Sequence, residues 1–273
     1  MQIRPFFQVD AFASKPFEGN QACVMPLEDF WPDETLQAIA AENNVAETAY
    51  IVPEGENIWK LRWFTPGAEV PLCGHATLAA AHVLYNDLGF DAETITFETR
   101  YCGALYVSRK GPDLLEMDFP AQPFRQVEIS DALVAALGAR PKELWAGNYL
   151  AAVFDTPEEV LALTPDYRAM AEVGIAEGAA EQGCVGVLAA GGVDGVDVTS
   201  RFFAGGVGID EDPATGSWHC MLAPLMSEKL RQPTLNCFQA YPGRGAFIET
   251  DVQGDRVKLR GTSVTVIEGS FRL

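Results

Sequence analysis

The sequence lacks the residue spacings that bind a metal cluster or a nucleotide. Its 6 cysteines are scattered without a Cys-x-x-Cys pair, and 3 histidines are its whole supply of imidazole. Zinc and iron–sulfur sites need closely spaced ligands of these types. The glycine-rich segments contain no Gly-x-Gly-x-x-Gly run after a strand and no Gly-Lys-Ser/Thr loop. We therefore expect neither a bound metal nor a nucleotide.

Cationic residues and long apolar runs are also scarce. Lys and Arg number 19 against 38 Asp and Glu, which gives a formal net charge of −19. A surface of that sign repels nucleic acid and anionic membranes. No apolar run approaches the roughly 18 residues that a spanning helix needs, and the first residues alternate like a strand instead of forming the apolar core of a secretion signal. We therefore expect a soluble, cytoplasmic protein with reduced thiols and no nucleic-acid or membrane partner.

The chain is 273 residues long and 48% hydrophobic, which gives it room for two domains of moderate size. Two predicted helices, which start near His75 and Trp218, are apolar on almost every side, and such helices are normally buried. Closely spaced prolines near residue 120 indicate a boundary. We predict an α+β fold whose first half is residues 1–120 with about 262–273, and whose second half is residues 121–261.

Hydrophobic periodicity and breaker residues predict the individual elements. The predicted helices cover residues 33–44, 75–88, 131–137, 157–163, 167–173 and 218–230, and the predicted strands cover 2–12, 22–26, 49–52, 59–64, 95–98, 104–109, 114–119, 145–153, 183–188, 198–203, 236–240, 247–251, 256–260 and 264–271.

Two helix-opening segments carry most of the polar chemistry: residues 73–77 (Cys-Gly-His-Ala-Thr) and 212–217 (Asp-Pro-Ala-Thr-Gly-Ser). Similar stretches precede them, Arg62-Trp63-Phe64 in the first case and Arg201-Phe202-Phe203 in the second, which suggests an internal duplication. A helix N-terminus presents unpaired backbone N–H groups and about half a positive charge, so it favours a carboxylate or phosphate. The two segments predict a site that holds a small acid, although each also fits an ordinary glycine turn.

Glu47 is the candidate general acid or base. It lies between a predicted helix end and a predicted strand, and its neighbours are Ala46 and Thr48. From the residues alone, a solvated carboxylate is the simpler interpretation. Enclosure by apolar neighbours would instead suit such a group to proton transfer near neutral pH. Whether Glu47 is buried decides between the two interpretations.

Other polar residues could act beside this carboxylate, and each has a structural alternative. The positive helix end should keep the His75 ring neutral, ready to donate to a substrate oxygen, although a structural histidine fits equally well. Cys73 at the same end should have a lowered pKa and could be a base, or it could be a small buried apolar residue. Asp212 could bind substrate or only cap its helix. His82 fits a packing role, and His219 stays unassigned.

Taken together, these segments resemble the PhzF-like isomerase family of phenazine biosynthesis. The stretches that match are Phe12-Ala13-Ser14 with Gly19-Asn20, residues 44–48, Phe64-Thr65-Pro66 with residues 73–77, and residues 211–217. Their order and spacing cover residues 8 to about 245. The resemblance implies the diaminopimelate epimerase-like fold, with two pseudo-symmetric halves that each wrap a β-barrel-like sheet around a central helix, an active site in the cleft between them, and a homodimer.

By the same resemblance, Glu47, His75 and Asp212 match the three catalytic residues of the family. Glu47 would move a proton between carbons of a small, cyclic, unsaturated amino acid, with no metal and no organic cofactor. His75 and Asp212 would position the substrate. The substrate-binding residues, which would offer backbone or hydroxyl donors to a carboxylate, are Gly74, Ala76, Gly216 and Ser217.

Two other functions stay open at this point. Related epimerases use two cysteines, and this chain keeps only Cys73 in such a loop, so an amino-acid racemase or epimerase with Cys73 as a base is the second hypothesis. The third is a protein that binds a small acid without catalysis, since a fold does not fix a function. The bulky Trp218 is expected to narrow the pocket in any of these cases.

Overall fold

The computed structural model describes residues 3–273, so Gln2, with which the first predicted strand begins, lies outside the described residues. The described chain forms the strands β1 (Ile3–Ala11), β2 (Asn20–Pro26), β3 (Glu47–Pro53), β4 (Ile58–Phe64), β5 (Glu69–Val70), β6 (Thr94–Thr99), β7 (Ala104–Arg109), β8 (Leu115–Pro120), β9 (Arg125–Val127), β10 (Glu143–Ala146), β11 (Leu150–Val153), β12 (Cys184–Ala190), β13 (Val198–Ala204), β14 (Thr234–Tyr241), β15 (Arg244–Gln253), β16 (Arg256–Gly261) and β17 (Ser263–Arg272). The helices are α1 (Asp33–Asn43), α2 (Gly74–His82), α3 (Asp131–Leu137), α4 (Pro157–Ala162), α5 (Tyr167–Met170) and α6 (Gly216–Leu230).

The described chain divides into two compact units. The first extends to Asp118 and includes Arg260–Leu273, and the second is Phe119–Leu259. In the first unit, strands pair in the order β17-β1-β2-β3-β4-β6-β7-β8. The β2–β3 and β4–β6 pairs are parallel and the others are antiparallel. The helix α2 packs against β1, β2, β3 and β17, and all of its residues after Gly74 are buried.

The second unit also contains a run of paired strands and a buried helix. Its strands pair in the order β9-β10-β11-β12-β13-β14-β15, with parallel pairing at β11–β12 and β13–β14. The helix α6 packs against β14 and β15. Trp218, Met221 and Leu222 of α6 are fully buried and belong to one apolar cluster of this unit, while a second cluster lies under α3, α4 and α5.

Both units repeat one succession of elements. In each, a parallel strand pair is followed by an antiparallel strand, a loop, the buried helix, and a strand that pairs in parallel with the one before the loop. These elements are β2, β3, β4, α2 and β6 in the first unit, and β11, β12, β13, α6 and β14 in the second. The internal duplication indicated by the two Arg-aromatic segments is therefore confirmed at the level of topology.

Some predicted elements differ from the structure for identifiable reasons. Asp33 does not cap α1, because the N-cap residue is Pro32 and the Asp33 carboxylate accepts from Arg62 Nη2 at 2.8 Å. The single strand predicted over 145–153 is the antiparallel pair β10 and β11, since the chain turns back between Gly147 and Tyr149. The short strands β5 and β9 were not predicted from the sequence.

Among the described residues, no helix is both long and apolar enough to cross a bilayer. All of the cysteines are free thiols, as predicted.

The substitution Gly186→Ala should destabilise the second unit. Gly186 lies in β12, where a Cβ atom would overlap the fully buried ring of Trp218. Overpacking of this kind costs roughly 1–3 kcal/mol of unfolding free energy. Urea unfolding would measure the loss. Gly269→Ala in β17 is the matched control, because no atom lies within 4 Å of its added Cβ. Equal stability of the two variants would contradict this packing.

Candidate active site

Glu47 and His75 come together in the first unit. Glu47 is the first residue of β3, and His75 is the second residue of α2. Oε2 of Glu47 lies 3.0 Å from Nε2 of His75, and the exposed fractions of the two side chains are 16% and 6%. The two atoms are at ion-pair distance without the alignment of a hydrogen bond, so both keep bonding capacity for another molecule. Glu47 is therefore mostly enclosed rather than solvated.

The other ring nitrogen of His75 faces two polar neighbours. Nδ1 lies 3.3 Å from Asn20 Nδ2 and 3.5 Å from Cys73 Sγ. Asn20 starts β2, and the parallel register of β2 and β3 places Ala22 opposite Glu47. The sheet therefore brings Asn20 and Glu47 to one end of α2, where contacts at both ring nitrogens fix the orientation of the imidazole.

The charges around His75 act against the pKa shift that the helix end was expected to cause. Burial lowers the pKa of His75, but the contacts with Cys73 and Glu47 raise it well above its usual value. The Glu47 carboxylate accounts for the rise in the pKa of His75, because the Cys73 thiol keeps its own proton and therefore carries no charge. An opposite charge at about 4 Å contributes about 4 kcal/mol at an effective dielectric of about 20, whereas a helix end contributes about 0.3–2 kcal/mol. Asn20 Nδ2 faces Nδ1 as a donor, so Nδ1 accepts in this contact and the ring proton lies on Nε2, toward Glu47.

The predicted low pKa of Cys73 is also wrong. Cys73 is the N-cap residue of α2. Burial of the thiol, together with the nearby Glu47 charge, raises its pKa to about 11. Desolvation outweighs the helix end here, so Cys73 is a protonated thiol at neutral pH.

Glu47, Cys73 and His75 could also act as metal ligands. Each offers one ligand atom, and the three atoms lie within 4.8 Å of one another. A carboxylate, a sulfur and an imidazole are ligands that zinc accepts. The absence of a metal therefore stays a prediction for this protein.

Both buried helices begin with glycine, Gly74 in α2 and Gly216 in α6. Their N-cap residues are Cys73 and Thr215, and neither forms a capping hydrogen bond through its side chain. The first-turn N–H groups of a helix have no backbone acceptor within it, and that of Ala76 is directed at the Cys73 sulfur. Each helix end can therefore receive a carboxylate oxygen.

Asp212 is held in the loop before α6 in the second unit. Its N–H donates to the carbonyl of Phe202 at 2.9 Å, and its own carbonyl accepts from Gln239 Nε2 at 2.7 Å. The Thr215 hydroxyl donates to Asp212 Oδ2 at 2.5 Å. Because Thr215 is the N-cap residue, the interpretation of Asp212 as the helix cap is wrong. The Asp212 carboxylate instead orients the hydroxyl of the cap residue.

The side chains of Ser217 and Trp218 lie in different environments. The Ser217 Oγ accepts from the Tyr149 hydroxyl at 2.9 Å, which leaves the Ser217 proton for another acceptor. Trp218 is fully buried, and its ring lies 5.8 Å from that of Phe202. Trp218 therefore fills the core of the second unit, and the expectation that it narrows a pocket is wrong.

The two histidines outside the cluster have structural roles. His82 lies on α2 with Nε2 at 3.1 Å from the Thr265 hydroxyl. His219 is fully buried, and its Nδ1 lies 2.9 Å from the carbonyl of Thr215. Burial lowers the pKa of His219 to about 4, so the ring is neutral and Nδ1 is the donor. Thr77 takes the same place in α2, where its hydroxyl donates to the N-cap carbonyl at 2.6 Å.

Two contacts of the site were not predicted. Asn20 belongs to a segment of the family resemblance, but no role was derived for it. No sequence pattern indicates a role for Tyr149, because a tyrosine beside an apolar strand looks like an ordinary core residue. Both become visible only when strands distant in sequence meet the helix ends.

Comparison with known proteins agrees with these features. The family model PhzC-PhzF, phenazine biosynthesis-like protein, matches residues 9–269. An uncharacterized isomerase of Pseudomonas aeruginosa is 42% identical over 100% of both chains. The crystal structure of a PhzF-family phenazine biosynthesis protein from Enterococcus faecalis has a TM-score of 0.92 at 38% identity and covers 100% of both chains. A hydroxyproline epimerase from Agrobacterium vitis, 13% identical with a TM-score of 0.58 over 98% of this chain and 92% of its own, shares the fold alone.

The fold is thus the α+β, diaminopimelate epimerase-like class that the sequence predicted. Within that class, the chain belongs to the PhzF-like, phenazine biosynthesis-like family of isomerases.

The buried thiol of Cys73 should resist alkylation in the folded protein. With a pKa near 11 it is almost entirely protonated at pH 7.5, and the thiolate is the reactive form. We expect iodoacetamide to label the exposed Cys102 well before Cys73, as followed by peptide mass spectrometry. Protein unfolded in urea is the control, in which all cysteines should react. Labelling of Cys73 as fast as that of Cys102 would show an accessible thiolate.

His219 should make the protein sensitive to acid. Its pKa rises from about 4 in the folded state to about 6.5 in the unfolded state, so the unfolded chain binds the extra proton. Stability is therefore lost as the pH falls from about 6.5 to about 4, by up to roughly 3 kcal/mol. His219→Gln removes this titration, and its unfolding free energy should fall less between pH 7 and pH 4.5 in urea titrations. Parallel losses in both proteins would contradict the assignment.

Proposed function

We propose that the protein is an isomerase that moves a proton between carbon atoms of a small carboxylate-bearing substrate, with Glu47 as both base and acid. The observation that carries this proposal is the enclosed Glu47–His75 contact, with 3.0 Å between Oε2 and Nε2. A carboxylate in such a place is shielded from bulk water, which would otherwise exchange the proton in transit. A positioned acid or base accelerates reactions about 10²–10⁴-fold.

The proposed reaction only moves a proton within the substrate, so the substrate's net charge and number of electrons do not change. The Glu47 carboxylate takes a proton from one carbon of the substrate and, now a carboxylic acid, returns it to another. His75 donates a hydrogen bond to a substrate oxygen and stabilises the negative charge that develops there. Nε2 is the nitrogen that can make this donation, because Asn20 Nδ2 donates to Nδ1. We therefore propose catalysis without a metal or an organic cofactor.

We propose a cyclic, unsaturated amino acid as the substrate class. The N–H groups near Gly74 and Ala76 suit a carboxylate beside Glu47. For Asp212, Gly216 and Ser217, the substrate-binding roles rest on the family resemblance, supported by the uncapped start of α6 and the available Ser217 proton. A homodimer and a cytoplasmic location rest on the resemblance and on composition.

The environment of Cys73 favours Glu47 as the base over the racemase hypothesis. A thiol with a pKa of about 11 offers almost no thiolate at neutral pH. The Glu47 carboxylate lies beside the same imidazole and has an oxygen atom without a hydrogen-bond partner.

The test of this proposal is Glu47→Gln, which keeps the shape of the side chain and removes its basicity. Proton-exchange NMR in heavy water would follow the incorporation of deuterium into a panel that includes 2,3-dihydro-3-hydroxyanthranilate, other cyclic dienes and common amino acids. We expect the variant to lose about 10²–10⁴-fold in exchange rate, with an unchanged melting temperature. A well-folded variant of full activity would falsify the role of Glu47.

Two controls separate the competing functions. The Cys73→Ser variant should retain exchange. If Cys73→Ser abolished exchange while Glu47→Gln stayed active, the racemase hypothesis would be supported instead. Dialysis against EDTA should leave the rate unchanged, and a rate restored only by added zinc would overturn metal independence. Melting shifts caused by these acids without any exchange would identify a binding protein instead.

A further inference from the structure

An arginine–glutamate pair occupies the same place in each unit, and the arginine is buried in both. In the first unit, Nε and Nη2 of Arg62 donate to the two oxygens of Glu69 at 2.7 and 2.8 Å. In the second, Nε and Nη2 of Arg201 donate to the two oxygens of Glu211 at 2.8 and 2.9 Å. Two parallel bonds of this kind fix the relative orientation of the partners as well as their distance.

The position of each pair relative to its helix is also the same. Glu69 is paired with Phe64 in the β4–β5 ladder, and Glu211 forms an isolated bridge with Phe203 of β13. Gly74 and Gly216 each follow their glutamate at a spacing of five residues (74 − 69 and 216 − 211). Both pairs thus tie the chain back to a strand just before a helix N-terminus.

The pair in the second unit is enclosed by further contacts. Arg201 Nη1 donates to the carbonyl of Leu163 at 2.7 Å, and the Tyr167 hydroxyl donates to Glu211 Oε2 at 3.4 Å. The guanidinium lies 4.9 Å from the centre of the Phe203 ring. The exposed fractions of the Arg201 and Glu211 side chains are only 7% and 3%.

Residues 207–209, at the tip of the loop between Arg201 and Glu211, have little packing of their own. Val207 and Ile209 are 66% and 46% exposed. Gly208 has a left-handed φ of +88°. Loops with few buried apolar contacts open at low free energy. The buried side chain of Glu211 therefore fixes the end of this loop, immediately before Asp212.

We propose that Arg201 and Glu211 are positioning residues that hold Asp212 and the first turn of α6 in the geometry that the substrate requires. Glu211 is fixed through its side chain, and Asp212 is fixed through its N–H to Phe202 and its carboxylate to Thr215. A buried ion pair is often no more stabilising than apolar residues of similar volume, so a role in geometry accounts better for its presence than a role in stability. The significance for catalysis rests on the proposed function.

The test replaces both partners, because removal of one would leave an uncompensated buried charge and could prevent folding. The variant is Arg201→Met with Glu211→Leu, and Glu211→Gln is a milder second variant that keeps the side-chain shape. The matched control is Lys229→Met with Glu143→Gln, which removes an ion pair of 2.6 Å at the other end of α6. All are made in the full chain.

Amide hydrogen exchange, followed by mass spectrometry of peptides that cover residues 205–216, reads the positioning role without any substrate. We expect exchange in this segment to rise by about tenfold or more in the double variant, to rise less in Glu211→Gln, and to stay unchanged in the control. Unchanged exchange in the double variant of a folded protein would overturn the proposal.

Kinetics then test the consequence for the reaction. The double variant should lose about 10²-fold in kcat, as expected for a displaced catalytic group, with a melting temperature close to that of the control. In an Asp212→Asn background the same two changes should cost nothing further, because they act through Asp212. Additive losses would overturn the role for Asp212.

A wild-type chain that exchanges no acid of the panel would refute the proposed function instead, and the amide result alone would then decide the positioning role.

Discussion

The architecture depends on the burial of two helices that have no polar side. In α2, the residues from Leu78 to Ala81 are fully buried. In α6, Trp218 and Met221 are fully buried as well. Such helices are stable only when strands surround them, because no face can be left to water. The side chains in the middle of these helices are consequently committed to packing, and polar groups stand at the helix ends. The chemistry of the protein is therefore concentrated where each helix begins.

The fold was largely predictable because the periodic patterns are local. The helix of residues 131–137 and the αL residue Asn44 at the end of α1 follow from short-range preferences. Errors arose where a distant residue decides the outcome. Asp33 was expected to cap its helix, yet Arg62, which is far away in sequence, draws its carboxylate into an ion pair. The short strand β5 forms because the Arg62–Glu69 pair holds it against β4, and a two-residue strand has no periodicity to detect.

The candidate site shows a different limit of sequence reasoning. Its members were identified from the sequence and its resemblance, but the pKa shifts of His75 and Cys73 were predicted in the wrong direction. The helix end was taken as the main influence on both groups. Burial and the neighbouring Glu47 carboxylate are larger effects, and they raise both pKa values. Distances between side chains on β3 and α2 decide this balance, and no spacing in the sequence reveals them.

The duplication gives one reason why a single residue would carry both proton-transfer steps. Thr48 is paired with Phe64 in the first unit, and Val185 is paired with Phe203 in the second, so Glu47 and Cys184 stand at equivalent positions. Burial raises the pKa of the Cys184 thiol to about 12, so it holds its proton at neutral pH.

The same comparison applies at the helix ends. The residue after the opening glycine is His75 in α2 and Ser217 in α6. An imidazole can carry a proton near neutral pH, whereas a hydroxyl only donates or accepts hydrogen bonds. Under the proposed function, the two copies of one scaffold have diverged into a proton-transfer end and a binding end. The carboxylate before α6, Asp212, accepts from the Thr215 hydroxyl, so under the proposed function the proton leaves and returns through Glu47 rather than passing between two bases.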